Sequence, residues 1–176
     1  MDIIVTAKSL TSTSGTVAIG DKIFECVLGK SGLIDTADKR EGDMKTPIGE
    51  FPLRKVFYRS DRVEKPETIM EINDLTSDIA WCDDPEHKDY NKQITTDHPT
   101  VEEGWVRREH LFEYIIVIGH NDDPPIPGHG SCIFIHLARP EFTPTAGCVG
   151  LKREDMLELL KLCTANSIIK ISVNED

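Results

Sequence analysis

The sequence predicts a mostly β domain with one clear helix toward its C-terminal end. Short apolar segments recur between clusters of Gly, Pro, Asp and Ser, the punctuation that separates strands from turns. Two of these segments, Tyr114 to Gly119 and Ser131 to His136, are apolar without polar alternation, as strands covered on both faces are. One stretch, Arg153 to Thr164, places Met156, Leu157, Leu160 and Cys163 at helical intervals. Glu154 and Asp155 sit in its first turn, where negative charge suits the helix dipole.

In chain order, Ile3 to Thr6, Thr16 to Ile19 and Ile23 to Leu28 read as short strands, the last two joined by the turn-compatible Gly20-Asp21-Lys22. Gly29 to Gly49, rich in Gly, Asp and Lys, reads as a long loop. Thr46-Pro47-Ile48-Gly49 closes it with a turn before a strand near Phe51 to Tyr58. Charges and prolines crowd Asp61 to Gly104, which reads as loops with short strands around Ile69 to Ile72 and Ile79 to Cys82. Asn166 and Ser167 end the helix, and Ile168 to Val173 returns as a final strand that buries the C-terminus.

With 176 residues, 39% of them hydrophobic, the chain supports one well-buried core, and residues 1–176 are read as one domain. Acidic residues outnumber basic ones by 31 to 20 and no basic stripe appears, so a nucleic-acid backbone would be repelled. No segment has membrane-spanning length, and Met1-Asp2-Ile3-Ile4-Val5-Thr6 lacks the basic flank and apolar core of an export signal. The expected location is cytoplasmic as written, and periplasmic if a signal has been removed. Five cysteines without a CxxC pair fit neither a disulfide framework nor a structural zinc site, so reduced thiols and no cofactor are expected. Cys26, Cys132 and Cys163, set among apolar residues, read as small buried hydrophobes.

His136 ends one apolar run and Cys148 opens the next, with a Pro- and Thr-rich connection between them. A thiol near its ordinary pKa of about 8.5 is mostly protonated at neutral pH, so a nucleophilic cysteine needs a base or a neighbour that lowers its pKa. His136 is the nearest candidate. Gly147 lets the backbone approach a substrate, and the N–H groups of Gly147 and Cys148 are candidate donors to an oxyanion. By spacing alone, the same two residues are better explained as two residues of a core. Asp122 and Asp123 with His120, His129 and His136 offer a second chemistry, metal ligation, although they lack the spacing of a helix-borne HExxH pair.

The wording around the pair is more specific. Gly130-Ser131-Cys132-Ile133-Phe134-Ile135-His136, followed by Pro144-Thr145-Ala146-Gly147-Cys148-Val149-Gly150-Leu151, resembles the active-site signature of the L,D-transpeptidase (YkuD-like) family, in the branch with a compact Pro-Thr-x-Gly-Cys loop. The resemblance extends to Lys39-Arg40-Glu41-Gly42-Asp43 with Thr46-Pro47-Ile48-Gly49, to Trp81-Cys82-Asp83-Asp84-Pro85 with Tyr90-Asn91, and to Gly119-His120-Asn121.

The resemblance implies a β-sandwich or barrel-like catalytic domain. In it Cys148 attacks the meso-diaminopimelate carbonyl of a peptidoglycan tetrapeptide stem or muropeptide, releasing D-Ala, with His136 as base. It further implies that the Leu137 carbonyl orients the imidazole and that Gly147 supports the oxyanion. His120, Asn121, Ser131, Thr145, Trp81 and Tyr90 would line the substrate groove, and carbapenem-type inhibitors would acylate the thiol; Lys39 and Arg40 read equally as contacts to stem carboxylates and as ordinary surface charges. Either an amine resolves the acyl-enzyme, giving transpeptidation, or water does, giving L,D-carboxypeptidase activity. The chain departs from the family wording at Ala146, Gly150 and His120. A silent wall-peptide binding module and a metal-dependent hydrolase stand as the alternatives.

Overall fold

The computed structural model describes residues 1–101 and 110–174. Strands β1 (Ile3–Ala7), β2 (Ser14–Ile19) and β3 (Lys22–Val27) open the chain, and β2 and β3 form a hairpin turning at Gly20 with φ +58°. β4 (Leu33–Asp35) precedes the long β5 (Thr46–Tyr58). Then come β6 (Ile72–Asp74), β7 (Ile79–Trp81), β8 (Gln93–Thr95) and a 3-10 turn at His110–Phe112. β9 (Tyr114–Ile118), β10 (Phe134–Leu137), β11 (Val149–Leu151), helix α1 (Arg153–Leu162) and β12 (Ile168–Val173) complete the fold.

The ladder runs β12-β1-β2-β3-β11-β10-β9-β5, and β5 also pairs with β12, so the sheet closes on itself as a barrel-like circuit. Closure removes most free edges, which a mostly β chain must otherwise protect. The mostly β class with one helix is therefore what the chain adopts, and no helix among the described residues is long and apolar enough to cross a membrane. α1 turns Met156, Leu159 and Leu160 into the main core, where each such side chain contributes about 2 kcal/mol.

Several boundaries move from their expected places. Thr46-Pro47-Ile48-Gly49 is not a turn but the first part of β5, because β4 and then β12 pair with it. The long loop before it contains β4. The strand expected from Ser131 begins only at Phe134, since Cys132 lies at φ +55°, outside the extended region. In the charged middle, β6 starts where the first short strand was expected to end, and β8 was not anticipated. The expectations for residues 102–104 and for burial of the last two residues lie outside the described residues.

β9 and β10 divide their side chains between two cores. Ile116, Ile118, Ile135 and Leu137 face the main core, while Ile115, Val117 and Phe134 join Phe57 and Leu75 in a smaller cluster on the other face. Apolar cover on both sides explains the unbroken hydrophobic runs. Cys148, Cys132, Trp81 and Phe112 pack against the smaller cluster, so the candidate site lies on that second face.

Candidate active site

β10 and β11 run parallel, pairing Ile135 with Val149 and His136 with Gly150. Side chains alternate across a strand, so Phe134, His136 and Cys148 lie on one face, opposite the core-facing Ile135 and Val149. His136 and Cys148 thereby line one cleft of about 500 Å³. Glu41, Met44, Phe112, Ser131, Cys132 and Thr145 also border it. Gly150 stands beside His136 in register, and a Cβ there would come within 2.6 Å of Val27 Cγ2, which accounts for glycine at this departure from the family wording.

His136 is buried, with Nδ1 2.8 Å from the Leu137 carbonyl oxygen. A carbonyl only accepts, so Nδ1 carries the proton and Nε2 keeps its lone pair. Burial is the main influence on this imidazole and brings its pKa down to about 4, against a smaller upward pull from the Leu137 carbonyl. The half-buried Cys148 thiol donates to the Cys132 carbonyl at 3.2 Å and lies 3.4 Å from the Phe134 N–H. Burial pushes it up to about 11, opposed by the Phe134 N–H and the charge of Lys39. The resting pair is therefore a neutral thiol and a neutral imidazole.

The turn before the cysteine is tightly held. The Thr145 hydroxyl donates to the Cys148 carbonyl at 2.7 Å and accepts from the Gly147 N–H at 3.0 Å. Gly147 has φ +136°, and a Cβ would lie 2.9 Å from the Lys45 carbonyl oxygen, so a side chain is excluded on both counts. In this resting arrangement the Gly147 N–H is already paired.

The opposite wall, Gly130 to Cys132, is irregular chain held by side chains from distant segments. Asn91, itself at φ +55°, accepts from the Cys132 N–H at 3.1 Å and from Trp81 Nε1 at 3.3 Å, and donates to the carbonyls of His120 and Asn121. Tyr90 accepts from the Gly130 N–H at 3.0 Å and donates to Glu41, whose other oxygen accepts from Ser131 at 3.0 Å. Asn121 donates to the carbonyls of Gly130 and Ile126 and accepts from the Ile126 N–H. Burial raises the Glu41 pKa, against the pull of the Tyr90 and Ser131 hydroxyls.

Of the residues expected at the groove, Ser131 and Thr145 border the cleft with His136 and Cys148. Tyr90, Asn121 and Trp81 stand behind the wall, with the Trp81 ring edge-on to Phe134 at 5.3 Å. His120 is buried against Phe51, and its Nδ1 has no hydrogen-bond partner among the described residues. Lys39 is buried in an ion pair with Asp43 at 2.5 Å, and the Arg40 guanidinium binds the carbonyls of Ala37 and Lys39. The cations bordering the cleft are Lys30 and Arg139 instead.

Cys132, read as a small buried hydrophobe, packs against the smaller cluster but is only half-buried and, at φ +55°, also borders the cleft. The minor alternative of a metal grouping around His120, His129 and His136 is not assembled among the described residues. His136 is in the cleft and Asp122 is paired with Arg54. Sequence reasoning missed Phe112, which stands edge-on to the His136 ring at 5.7 Å, and Glu41 as the acceptor joining Tyr90 to Ser131. An aromatic just before an apolar run was the only sequence signal for the first.

A thiol and a neutral imidazole thus open into one cleft, on adjacent strands of the closed sheet of a β-rich domain. Residues 4–171 match the family model of the L,D-transpeptidase catalytic domain (YkuD), and the chain belongs to that family. Among solved structures, L,D-transpeptidase 1 of Mycobacterium tuberculosis aligns over 98% of this chain and 62% of its own, at 16% identity and a TM-score of 0.39. The present chain thus spans less than two thirds of that protein's chain. No curated protein matches.

Proposed function

We propose that this protein is a cysteine acyl-transfer enzyme acting on the meso-diaminopimelate to D-Ala bond of peptidoglycan tetrapeptide stems. The observation that carries this reading is the common cleft of Cys148 and His136, with the imidazole lone pair at Nε2 kept free by the Leu137 carbonyl.

With both groups neutral at rest, the proton leaves sulfur as attack proceeds and passes to His136 Nε2. The sulfur bonds to the carbonyl carbon, and the carbonyl electron pair moves to oxygen. Collapse of that intermediate expels the D-Ala amine, which takes the proton back from the imidazolium. The Phe134 N–H, already on the sulfur, favours its developing charge. Backbone N–H groups at Gly147 and Cys148 serve the oxyanion, with the Gly147 N–H exchanging its Thr145 partner for the substrate oxygen.

Incubation with a disaccharide tetrapeptide, with and without an amine acceptor, tests the reading by mass spectrometry. D-Ala release alone identifies water as acceptor, and a dimeric or exchanged product identifies transpeptidation. An intact substrate together with no adduct at Cys148 after carbapenem exposure would leave a binding module as the better account.

A further inference from the structure

Away from the cleft, two histidines and a carboxylate converge on the connection between β7 and β8. His87 and Asp89 lie within that connection, and His98 follows the end of β8. Their donor atoms all lie within 4.8 Å of one another. Asp89 Oδ2 is 3.2 Å from His98 Nε2 and 3.7 Å from His87 Nδ1, and the two imidazoles stand edge to face at 4.5 Å between centroids. Ligand atoms around a tetrahedral Zn2+ at about 2.0–2.2 Å stand roughly 3.4 Å apart. Two of the three spacings are already near that value.

We propose that His87, Asp89 and His98 form a binding site for a divalent first-row transition cation of the Zn2+ type, distinct from the thiol cleft. Two imidazoles and one carboxylate are the donor set that suits such a cation, and they leave a fourth position for water.

The surroundings of His98 favour ligation. Its Nδ1 is 2.9 Å from Thr100 Oγ1, and that hydroxyl donates its own proton to Cys82 Sγ at 3.4 Å. The Thr100 oxygen is therefore an acceptor for an Nδ1 proton, the outer partner that metal-binding imidazoles commonly have. Without a cation, the Thr100 N–H at 3.3 Å from Nδ1 and the carboxylate at Nε2 suit the other tautomer. Binding moves the imidazole proton from Nε2 to Nδ1 and gives the Nε2 lone pair to the metal. At His87, the cation replaces the Asp89 N–H, now 3.1 Å from Nδ1.

The location gives the site a consequence. Tyr90 and Asn91, which hold the wall of the cleft, directly follow Asp89 in the chain. A cation tying the middle of the connection to the residues after β8 stabilises the segment from which both side chains reach.

The test uses the full chain, freed of metal with a chelator and titrated with Co2+ and Zn2+. The expected result is one saturable equivalent. The visible Co2+ spectrum should be that of a low-coordinate nitrogen and oxygen site without thiolate charge-transfer bands, and the melting temperature should rise with Zn2+. His87→Gln and His98→Gln should each weaken binding at least about tenfold, while Cys148→Ala leaves it unchanged. Circular dichroism identifies any variant that fails to fold, and Asp89→Asn then supplies the weakened ligand set. No saturable equivalent, binding that survives the double histidine variant, or binding lost in Cys148→Ala with thiolate bands in the wild type would each overturn the proposal.

Discussion

His136 and Cys132 lie four positions apart on one segment, yet opposite means hold them in the same cleft. His136 sits within β10, paired to β9 on one side and to β11 on the other, so backbone ladders fix its direction. Cys132 sits at φ +55° in irregular chain, where Asn91, Tyr90 and Asn121 satisfy the surrounding backbone groups and Glu41 accepts from the Ser131 hydroxyl. The strand wall carries the candidate nucleophile and base. The other wall supplies a carbonyl to the thiol through polar side chains, three of them drawn from 40 or more residues away. Shape on one side is redundant, and on the other it depends on a few side chains.

The sharpest break in this contrast is Cys148→Ala. If the strand wall carries the chemistry, D-Ala release from tetrapeptide should fall by about 10³-fold or more. Stability in urea should change by less than about 1 kcal/mol, because the sulfur's polar contacts among the described residues are two weak ones. Residual activity near the wild-type level would remove the thiol from the mechanism.

Acid tests both walls through one histidine each. His136 in the strand wall and His120, whose carbonyl accepts from Asn91 behind the other wall, are both brought by burial from 6.5 to about 4. Between those values the unfolded chain binds protons that the folded chain does not, so stability rises with pH there and is lost as pH falls from 6.5 toward 4. Each histidine contributes on the order of 3 kcal/mol to that loss. Urea unfolding of His120→Phe at pH 7 and at pH 4.5 should show a shallower acid decline than wild type, since the variant lacks the imidazole whose pKa burial lowers. The same neutral pair makes a kinetic prediction. Alkylation of Cys148 by iodoacetamide should accelerate steadily from pH 7 toward about 11, and a plateau near neutrality would indicate a thiolate-imidazolium pair instead.

Asn91→Ala addresses the hydrogen-bonded wall alone. It removes an acceptor from the Cys132 N–H and Trp81 and a donor from two carbonyls, and it places alanine at φ +55°. The expected cost is about 2–4 kcal/mol by chemical denaturation, with a parallel loss of activity. Asn91→Gly, which relieves the backbone and keeps the lost hydrogen bonds lost, should recover about 1 kcal/mol. Equal destabilisation by both variants would mean that the left-handed backbone costs nothing here.

The two walls also differ in how far the sequence exposes them. Continuous apolar runs announce β9 and most of β10, and Ile168 to Val173 was legible residue for residue, because hydrophobic pattern is local information. Helix α1 was legible to within two residues at its end. The Thr46 to Gly49 segment misleads because Pro and Gly mark turns locally, whereas pairing with β4 and β12 decides its conformation. The polar wall is less legible still. Nothing near Asn91 announces that it will meet Cys132, and nothing near Glu41 announces Tyr90 and Ser131, since those partners are set only once the sheet closes. The common cleft of His136 and Cys148 was readable for the converse reason: a strand end and the start of its parallel neighbour are joined by one short connection.

Cys132→Ala gives the smallest effect and the finest division between the walls. The Cys148 thiol donates to the backbone carbonyl of residue 132, and Asn91 accepts from its backbone N–H, so neither interaction needs the Cys132 side chain. Burial raises the Cys132 thiol well above its ordinary pKa, which keeps it protonated and uncharged beside the nucleophile. Alanine retains the same backbone strain and removes only a half-buried sulfur, so stability should change by no more than about 1 kcal/mol. Turnover should stay within about threefold of wild type, as such a change in barrier implies at most a small factor. A larger fall in turnover with unchanged stability would assign the thiol itself to substrate contact, and the hydrogen-bonded wall would then contribute chemistry as well as shape.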